Sequence, residues 1–206
     1  MIPNSYDYEY LKEKSKEKVT DYDFEEDTPV ILSVSRLAKV KNIDLLINAH
    51  AILKKNGIKQ RLLIVGDGEY RKNLEDLCKR LNVENSVTFL GKKNNPYPYF
   101  IKSDIFVSAS YIEGFSLTGI EAMALKVALI ATDLPNACAT LIKNHETGLI
   151  VANNSLIELK NAIEYFLIHR KEKIVMEKKA YEKVQQYEIH NLNQIILKFF
   201  QEVFIS

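Results

Sequence analysis

The chain has no tryptophan and only two cysteines, seven glycines and five prolines among its 206 residues. Each scarcity excludes something. Cys78 and Cys138 lie in apolar stretches without the paired spacing of a zinc or redox motif, so they read as reduced, buried thiols rather than as a disulfide framework. So little glycine and proline rules out a collagen-like or low-complexity chain. Long apolar runs are missing as well. Stretches such as Val127–Ala131 are strand-length, far short of the ~20 residues that span a bilayer. The first residues are polar and acidic where a signal peptide needs a basic and then an apolar run. A soluble, cytoplasmic protein is expected, with membrane contact peripheral at most. Neither sign of charge dominates: 28 basic against 27 acidic residues leave a net charge of +1, which gives no electrostatic case for nucleic acid.

What is present is ordinary globular material, 47% hydrophobic and 27% charged, enough for one large α/β unit. Short, nearly continuous apolar runs at Val30–Ser35, Arg61–Val65, Ser86–Leu90, Ile105–Ser108, Val127–Thr132 and Gly148–Val151 have the character of strands covered on both faces. Between them, apolar residues recur at helical spacing. Ile43, Leu46, Ile47, Ala51 and Leu53 mark one helix, stopping near Gly57; Leu74, Leu77, Cys78 and Leu81 mark a second; Leu156, Leu159, Ile163 and Phe166 mark a third. This alternation predicts a doubly wound, Rossmann-like parallel sheet of about six strands with flanking helices. Residues 1–28 are charged and lack strand signal, and read as a linker or polar helix with a solvated face. Residues 29–168 hold the α/β pattern. Residues 169–206 are helical and end in an apolar stripe, Leu192, Ile195, Ile196, Phe199, Phe200 and Val203, that must bury against something.

In such folds ligands meet the carboxyl ends of strands, and two loops there carry chemistry. Ser33 to Asn42 leaves the first strand with Arg36 and Lys41 bracketing a short loop before a helix that Asn42 could cap. Arginine as a fork and lysine as a point charge suit a diphosphate, although basic residues in a loop can equally be solvated surface. Tyr111 to Ala124 follows the fourth strand and opens a helix near Ser116 or Leu117. Unpaired amides around Phe115, Ser116 and Leu117 would make an anion site there. Glu113 in the loop and Glu121 a turn into the helix could take hydroxyls. The competing reading is a plain loop whose glutamate favours the helix dipole.

Other chemistries lack support. Ile64-Val-Gly-Asp-Gly68 begins like a dinucleotide fingerprint, but Arg71 stands at the third glycine and the strand is the second, so the glycines are expected to permit a tight turn. No nucleotide-hydrolysing P-loop and no serine-hydrolase elbow occurs. His50, His145, His169 and His190 are scattered without ligand pairing. A receiver-type regulator would need an acidic pair after the first strand, and none is present.

Taken in order, Val34-Ser-Arg36-Leu with Lys41-Asn, Ile64-Val-Gly-Asp-Gly68, Val87-Thr-Phe-Leu-Gly91, Asn95-Pro-Tyr-Pro-Tyr before Ser103-Asp-Ile-Phe-Val, Glu113-Gly-Phe with Glu121-Ala-Met, and His145-Glu-Thr-Gly-Leu-Ile resemble one family. They are similar to the C-terminal, nucleotide-sugar-binding half of family 4 retaining glycosyltransferases, which have the GT-B fold. The likeness is strong over about residues 30–165. It implies that Arg36 and Lys41 neutralise the donor diphosphate, that Glu113 contacts the donor sugar, and that Gly114, Phe115, Ser116, Leu117 and Thr118 offer backbone groups. Glu121 would hold the ribose, and the Gly91, Lys92 and Lys93 segment would approach the base. No metal or other cofactor is implied, because Arg36 and Lys41 would stabilise the leaving nucleotide. The substrate would be a UDP-sugar, less often a GDP-sugar, with a hexose passed to a polysaccharide or glycolipid acceptor, as in capsule or lipopolysaccharide assembly. Lys126 and Ala128 replace a frequent Gly and Pro, Ser35 a frequent Gly, and the Asp133 to Thr140 loop departs from a glycine-rich pattern. The resemblance also implies that the acceptor-binding lobe lies elsewhere, so this chain alone is expected to bind donor and transfer little. Two other readings stay open. A sugar-nucleotide epimerase or phosphorylase of the same fold is one, although a phosphorylase's cofactor lysine is not evident; a non-catalytic binding module is the other.

Overall fold

The computed structural model describes residues 5–112, 116–134, 141–191, 193 and 197. Six strands form one parallel sheet: β1 (Val30–Val34), β2 (Arg61–Val65), β3 (Val87–Gly91), β4 (Ile105–Ser108), β5 (Ala128–Thr132) and β6 (Leu149–Val151). Their order across the sheet is β3-β2-β1-β4-β5-β6, the doubly wound arrangement expected from the alternation of strands and helices. Each of the six lies within a residue or two of its expected run.

Alternation along the strands sorts the core into two layers. Ile31, Leu62, Ile64, Ile105 and Ile130 face α2 (Ile43–Lys55), α3 (Arg71–Leu81) and a later helix, α6 (Leu156–Ile168). Leu32, Leu63, Val65, Phe106 and Leu129 face the opposite layer. That layer holds α1 (Tyr8–Lys14), α4 (Tyr97–Ile101), α5 (Leu117–Ala124) and α7 (Arg170–Val184). In this layer Phe100 and Phe106 pack with ring centroids 5.0 Å apart.

The expected stop at Gly57 has a physical basis. Gly57 sits at φ +83°, its amide bonds the Lys54 carbonyl, and the Ile58 amide reaches back to the Leu53 carbonyl, the paired bonds of a glycine C-terminus. Asn82 ends α3 with the same pattern at φ +54°. The charged stretch before β1 combines two roles. Lys12, Lys14 and Glu9 of α1 lie at the surface, while Tyr6 and Leu11 are buried against the sheet's second layer. Tyr6 also pairs with the chain beyond α7, exchanging backbone bonds with Tyr187 and Ile189. The apolar stripe from Leu192 to Val203 lies outside the described residues.

Asn42 differs from its expected role. It occupies the position before α2, but at φ +52° rather than in the extended conformation that lets a cap side chain reach the helix amides. It makes no capping bond; its carbonyl instead accepts the Leu45 amide, and its side-chain amide is buried without a partner among the described residues.

At the amino ends of the strands, His50, Gln60 and Ser86 form a buried knot. Ser86 Oγ donates to the Val83 carbonyl and therefore accepts from His50 Nε2, 2.9 Å away. Gln60 Nε2 donates to the His50 carbonyl, which orients its amide, and to His50 Nδ1 at 3.3 Å. Both ring nitrogens are satisfied only in the neutral form, and burial, followed by the charges of Lys54 and Arg61, pushes the imidazole down to about 4. The unfolded chain therefore binds the proton first as pH falls. This group's contribution is complete above its unfolded pKa near 6.5 and is lost between about 6.5 and 4, a cost of about 3 kcal/mol. Urea titrations at both ends of that window are expected to show this loss, and His50→Gln is expected to flatten it.

Candidate functional site

The strand order reverses between β1 and β4. The chain leaves β1 toward the α2 layer and leaves β4 toward the α5 layer, so the two loops part and open a crevice at the carboxyl edge. A cleft of about 260 Å³ lies there, floored by Ser33, Ser35, Ser108 and Ser110 and walled by Arg36, Lys41, Leu117 and Thr118. Four of the residues singled out in the sequence thus converge on one cavity, from segments about 80 positions apart.

Arg36 is held in place by a backbone lattice. The Ser35 amide bonds the Val65 carbonyl, the Leu37 amide bonds the Asp67 carbonyl, and the Tyr70 amide bonds the Leu37 carbonyl, all at 2.9–3.0 Å. The loop after β2 must lie directly on the loop after β1 for this, and only glycine fits. A Cβ at Gly66 would stand 1.8 Å from the Ser35 carbonyl oxygen, and one at Gly68 2.4 Å from that of Leu37. The Gly-Asp-Gly motif is therefore a close-approach device. Arg36 itself is exposed and pairs with Glu69 at 2.9 Å. A hydrogen bond from a backbone amide, then Arg36, holds the Glu69 carboxyl below the usual range. Exposed pairs of this kind are worth little, so the guanidinium can exchange Glu69 for a better anion. Lys41 closes the single turn Lys39–Lys41 that leads into α2.

Across the cleft, Ser116 sets the start of α5 within one residue of expectation. Its Oγ accepts the Gly119 amide at 3.1 Å and its carbonyl the Ile120 amide. Ser116 is buried by this work, whereas Leu117 is exposed at the cleft wall. The amides of Leu117 and Thr118 belong to the first turn, where intrahelical partners are lacking. Glu121 lies one turn further along, where Tyr97 Oη donates to its Oε1 at 3.1 Å. Burial pushes this carboxyl up to about 7. Gly91 ends β3 at φ +71° and Lys92 is exposed beyond it. These two sit across β2 from the cleft and do not line it. Beside them, Lys93 and Tyr99 both bond Asp21 at 2.5 Å, so the segment after α1 pins this loop. Glu113, Gly114 and Phe115 lie outside the described residues, as do residues 135–140. Among the described residues no cluster of His, Cys, Asp or Glu could hold a metal ion, and no helix is long and apolar enough to cross a membrane.

The family model for glycosyl transferases group 1 matches residues 14–183, most of the chain. The chain belongs to this family. A Campylobacter jejuni relative, N-acetylgalactosamine-N,N'-diacetylbacillosaminyl-diphospho-undecaprenol 4-alpha-N-acetylgalactosaminyltransferase, is 37% identical over 191 residues, covering 90% of this chain and 50% of the relative. The crystal structure of a glycosyltransferase from Rickettsia africae superposes with a TM-score of 0.84 at 24% identity, over 98% of this chain and 56% of that one. Anabaena HepE, solved in complex with UDP, superposes with a TM-score of 0.80 at 23% identity, over 86% of this chain and 50% of that one. This group 1 glycosyl transferase chain thus spans about half the length of the Campylobacter jejuni relative and of these two solved structures.

Two residues that contact the candidate site, Glu69 and Tyr97, were not singled out in the sequence. Glu69 follows the Gly-Asp-Gly motif directly, and its pairing with Arg36 depends on a loop contact that no spacing reveals. Tyr97 lies within the Asn95-Pro-Tyr-Pro-Tyr motif, but nothing in that motif shows that Glu121 is its neighbour.

Proposed function

We propose that this chain is the donor-binding half of a retaining glycosyltransferase, taking a sugar from a UDP-sugar to a polysaccharide or glycolipid acceptor held by a second lobe. The convergence of Arg36, Lys41 and the α5 start on one cleft at the β1/β4 switch carries this reading. A diphosphate in that cleft would exchange Arg36 away from Glu69, take Lys41 as a second cation, and accept from the amides of Leu117 and Thr118. Glu121, with one carboxylate oxygen on Tyr97, would receive the ribose hydroxyls. Gly91 and Lys92 would reach the base, and Glu113 with Gly114 and Phe115 the donor sugar. Fixed cations at the leaving phosphate stabilise the charge that grows as the glycosidic bond to the nucleotide breaks, a preorganised effect that needs no metal ion.

The UDP in the HepE structure supports uridine as the base, and the names of the relatives, several of them N-acetylhexosamine transferases, support UDP-N-acetylgalactosamine and UDP-N-acetylglucosamine as first donors to test. Titration calorimetry with UDP and GDP checks the reading. UDP is expected to bind, about tenfold more tightly than GDP, a difference of about 1.4 kcal/mol. Failure of both nucleotides to bind would leave a module that has the fold without the site. Little transfer of labelled sugar is expected from this chain by itself, because the reaction needs the acceptor lobe.

A further inference from the structure

We propose that Tyr97 is a positioning residue of the donor site, gripping one oxygen of Glu121 so that the carboxylate presents the other to the vicinal hydroxyls of the ribose. This rests on the donor-site reading above and adds a residue to it. The Tyr97 hydroxyl lies 3.1 Å from Glu121 Oε1, so the grip is on one of the two carboxylate oxygens. A carboxylate anchored through one oxygen has lost the rotation that would otherwise oppose binding.

Tyr97 is itself fixed. Its amide donates to Asn95 Oδ1, and Asn95 Nδ2 in turn donates to the Lys14 carbonyl at the end of α1. Its ring meets Tyr10 of α1 edge-on, centroids 6.2 Å apart. The segment before β1 therefore braces the tyrosine that braces the glutamate.

The bond also has a protonation consequence. Burial, followed by the neighbouring Glu121 charge, holds the Tyr97 hydroxyl well above the ordinary tyrosine range, so it remains a donor. Burial raises the Glu121 carboxyl, and the Tyr97 bond opposes that rise. Tyr97 from α4 acts on this carboxyl through its hydrogen bond, with Tyr10 behind it, and α7 also packs on α5. Removing the hydroxyl should leave Glu121 protonated at a higher pH and loosen its hold on the ribose over the same range.

The test compares wild type with Tyr97→Phe, both checked for folding by circular dichroism. Carbon-13 NMR of labelled glutamate, with Glu121 assigned through Glu121→Gln, reads the carboxyl midpoint. Calorimetry with UDP-N-acetylgalactosamine, whose diphosphate is ionised throughout, reads affinity against pH. The variant midpoint is expected to rise by roughly one pH unit. Its affinity is expected to fall about threefold to tenfold near neutral pH and to return to within about twofold at pH about 8.5. An unmoved midpoint or no loss of affinity would overturn the proposal. If wild type binds no UDP-sugar, the donor-site reading fails and the ribose role with it. The NMR midpoint then still reports whether Tyr97 grips Glu121, which separates the two failures.

Discussion

Replacing Arg36 and Lys41 together by alanine is expected to weaken UDP binding by about a hundredfold or more while leaving the fold intact. Each cation would make a charge-assisted hydrogen bond to the diphosphate, worth about 1.5–3 kcal/mol. Loss of two such bonds outweighs the gain from no longer displacing the present partners of the two cations, of which Glu69 is an exposed pair worth about 0–1 kcal/mol. Stability should hardly change, because neither side chain fills the core. Lys39 provides the control. It belongs to the same single turn as Lys41 and is exposed, yet it does not line the cleft. Lys39→Ala removes the same charge two positions away, at an exposed side chain that does not line the cleft, and is expected to alter affinity by less than about twofold. Calorimetry on the three proteins checks this. Equal losses for Lys39→Ala and for the double variant would mean a diffuse positive field rather than a built site.

Gly66→Ala is expected to be strongly damaging, with the tightest clash among Gly57, Gly66, Gly68, Gly91 and Gly148. At φ +136° the backbone is in a region that L side chains rarely adopt, and the added Cβ would stand 1.8 Å from the Ser35 carbonyl oxygen. That oxygen is backbone, so no side chain can swing aside. The loops after β1 and β2 would have to part, breaking the Ser35, Leu37 and Tyr70 hydrogen bonds that hold them together. A backbone clash combined with an unfavourable φ and lost buried bonds is expected to cost about 3–5 kcal/mol, measured by urea unfolding. UDP affinity should fall as well, since Arg36 lies in the loop that moves. Gly57→Ala is the comparison. It also has positive φ, but no atom lies within 4 Å of the added Cβ, so it is expected to cost only about 1 kcal/mol.

These expectations show what the sequence carried and what it did not. Strands were legible because a parallel sheet covered on both faces writes itself as short, nearly continuous apolar runs; β1, β2, β4 and β5 have that form, and the half-exposed edge strand β3 has it least. Helices α2, α3 and α6 were legible from their buried stripes and, for α2, from Gly57. Helix α7 left a faint trace, because its buried residues are Met176, Ala180 and Val184, sparse and small amid charge. Helix α4 has only five residues and opens with prolines at 96 and 98, too short for any periodicity. At the site, Arg36, Lys41, Leu117 and Thr118 were legible because a doubly wound fold gathers post-strand loops at its switch point. Glu69 and Tyr97 were not, since their partners, Arg36 and Glu121, lie 33 and 24 positions away and meet them only through packing. Asn42 misled because residue type suggests a cap, while its left-handed backbone denies the side chain that reach.

The reading of the cleft as a donor diphosphate site is tested most directly by a crystal structure of this chain soaked with UDP. The diphosphate is expected within hydrogen-bond distance of Arg36, Lys41 and the Leu117 and Thr118 amides, with the ribose on Glu121 and Arg36 turned away from Glu69. Nucleotide bound elsewhere on the sheet, or a saturated crystal with Arg36 still paired to Glu69 and the cleft holding only water, would contradict it.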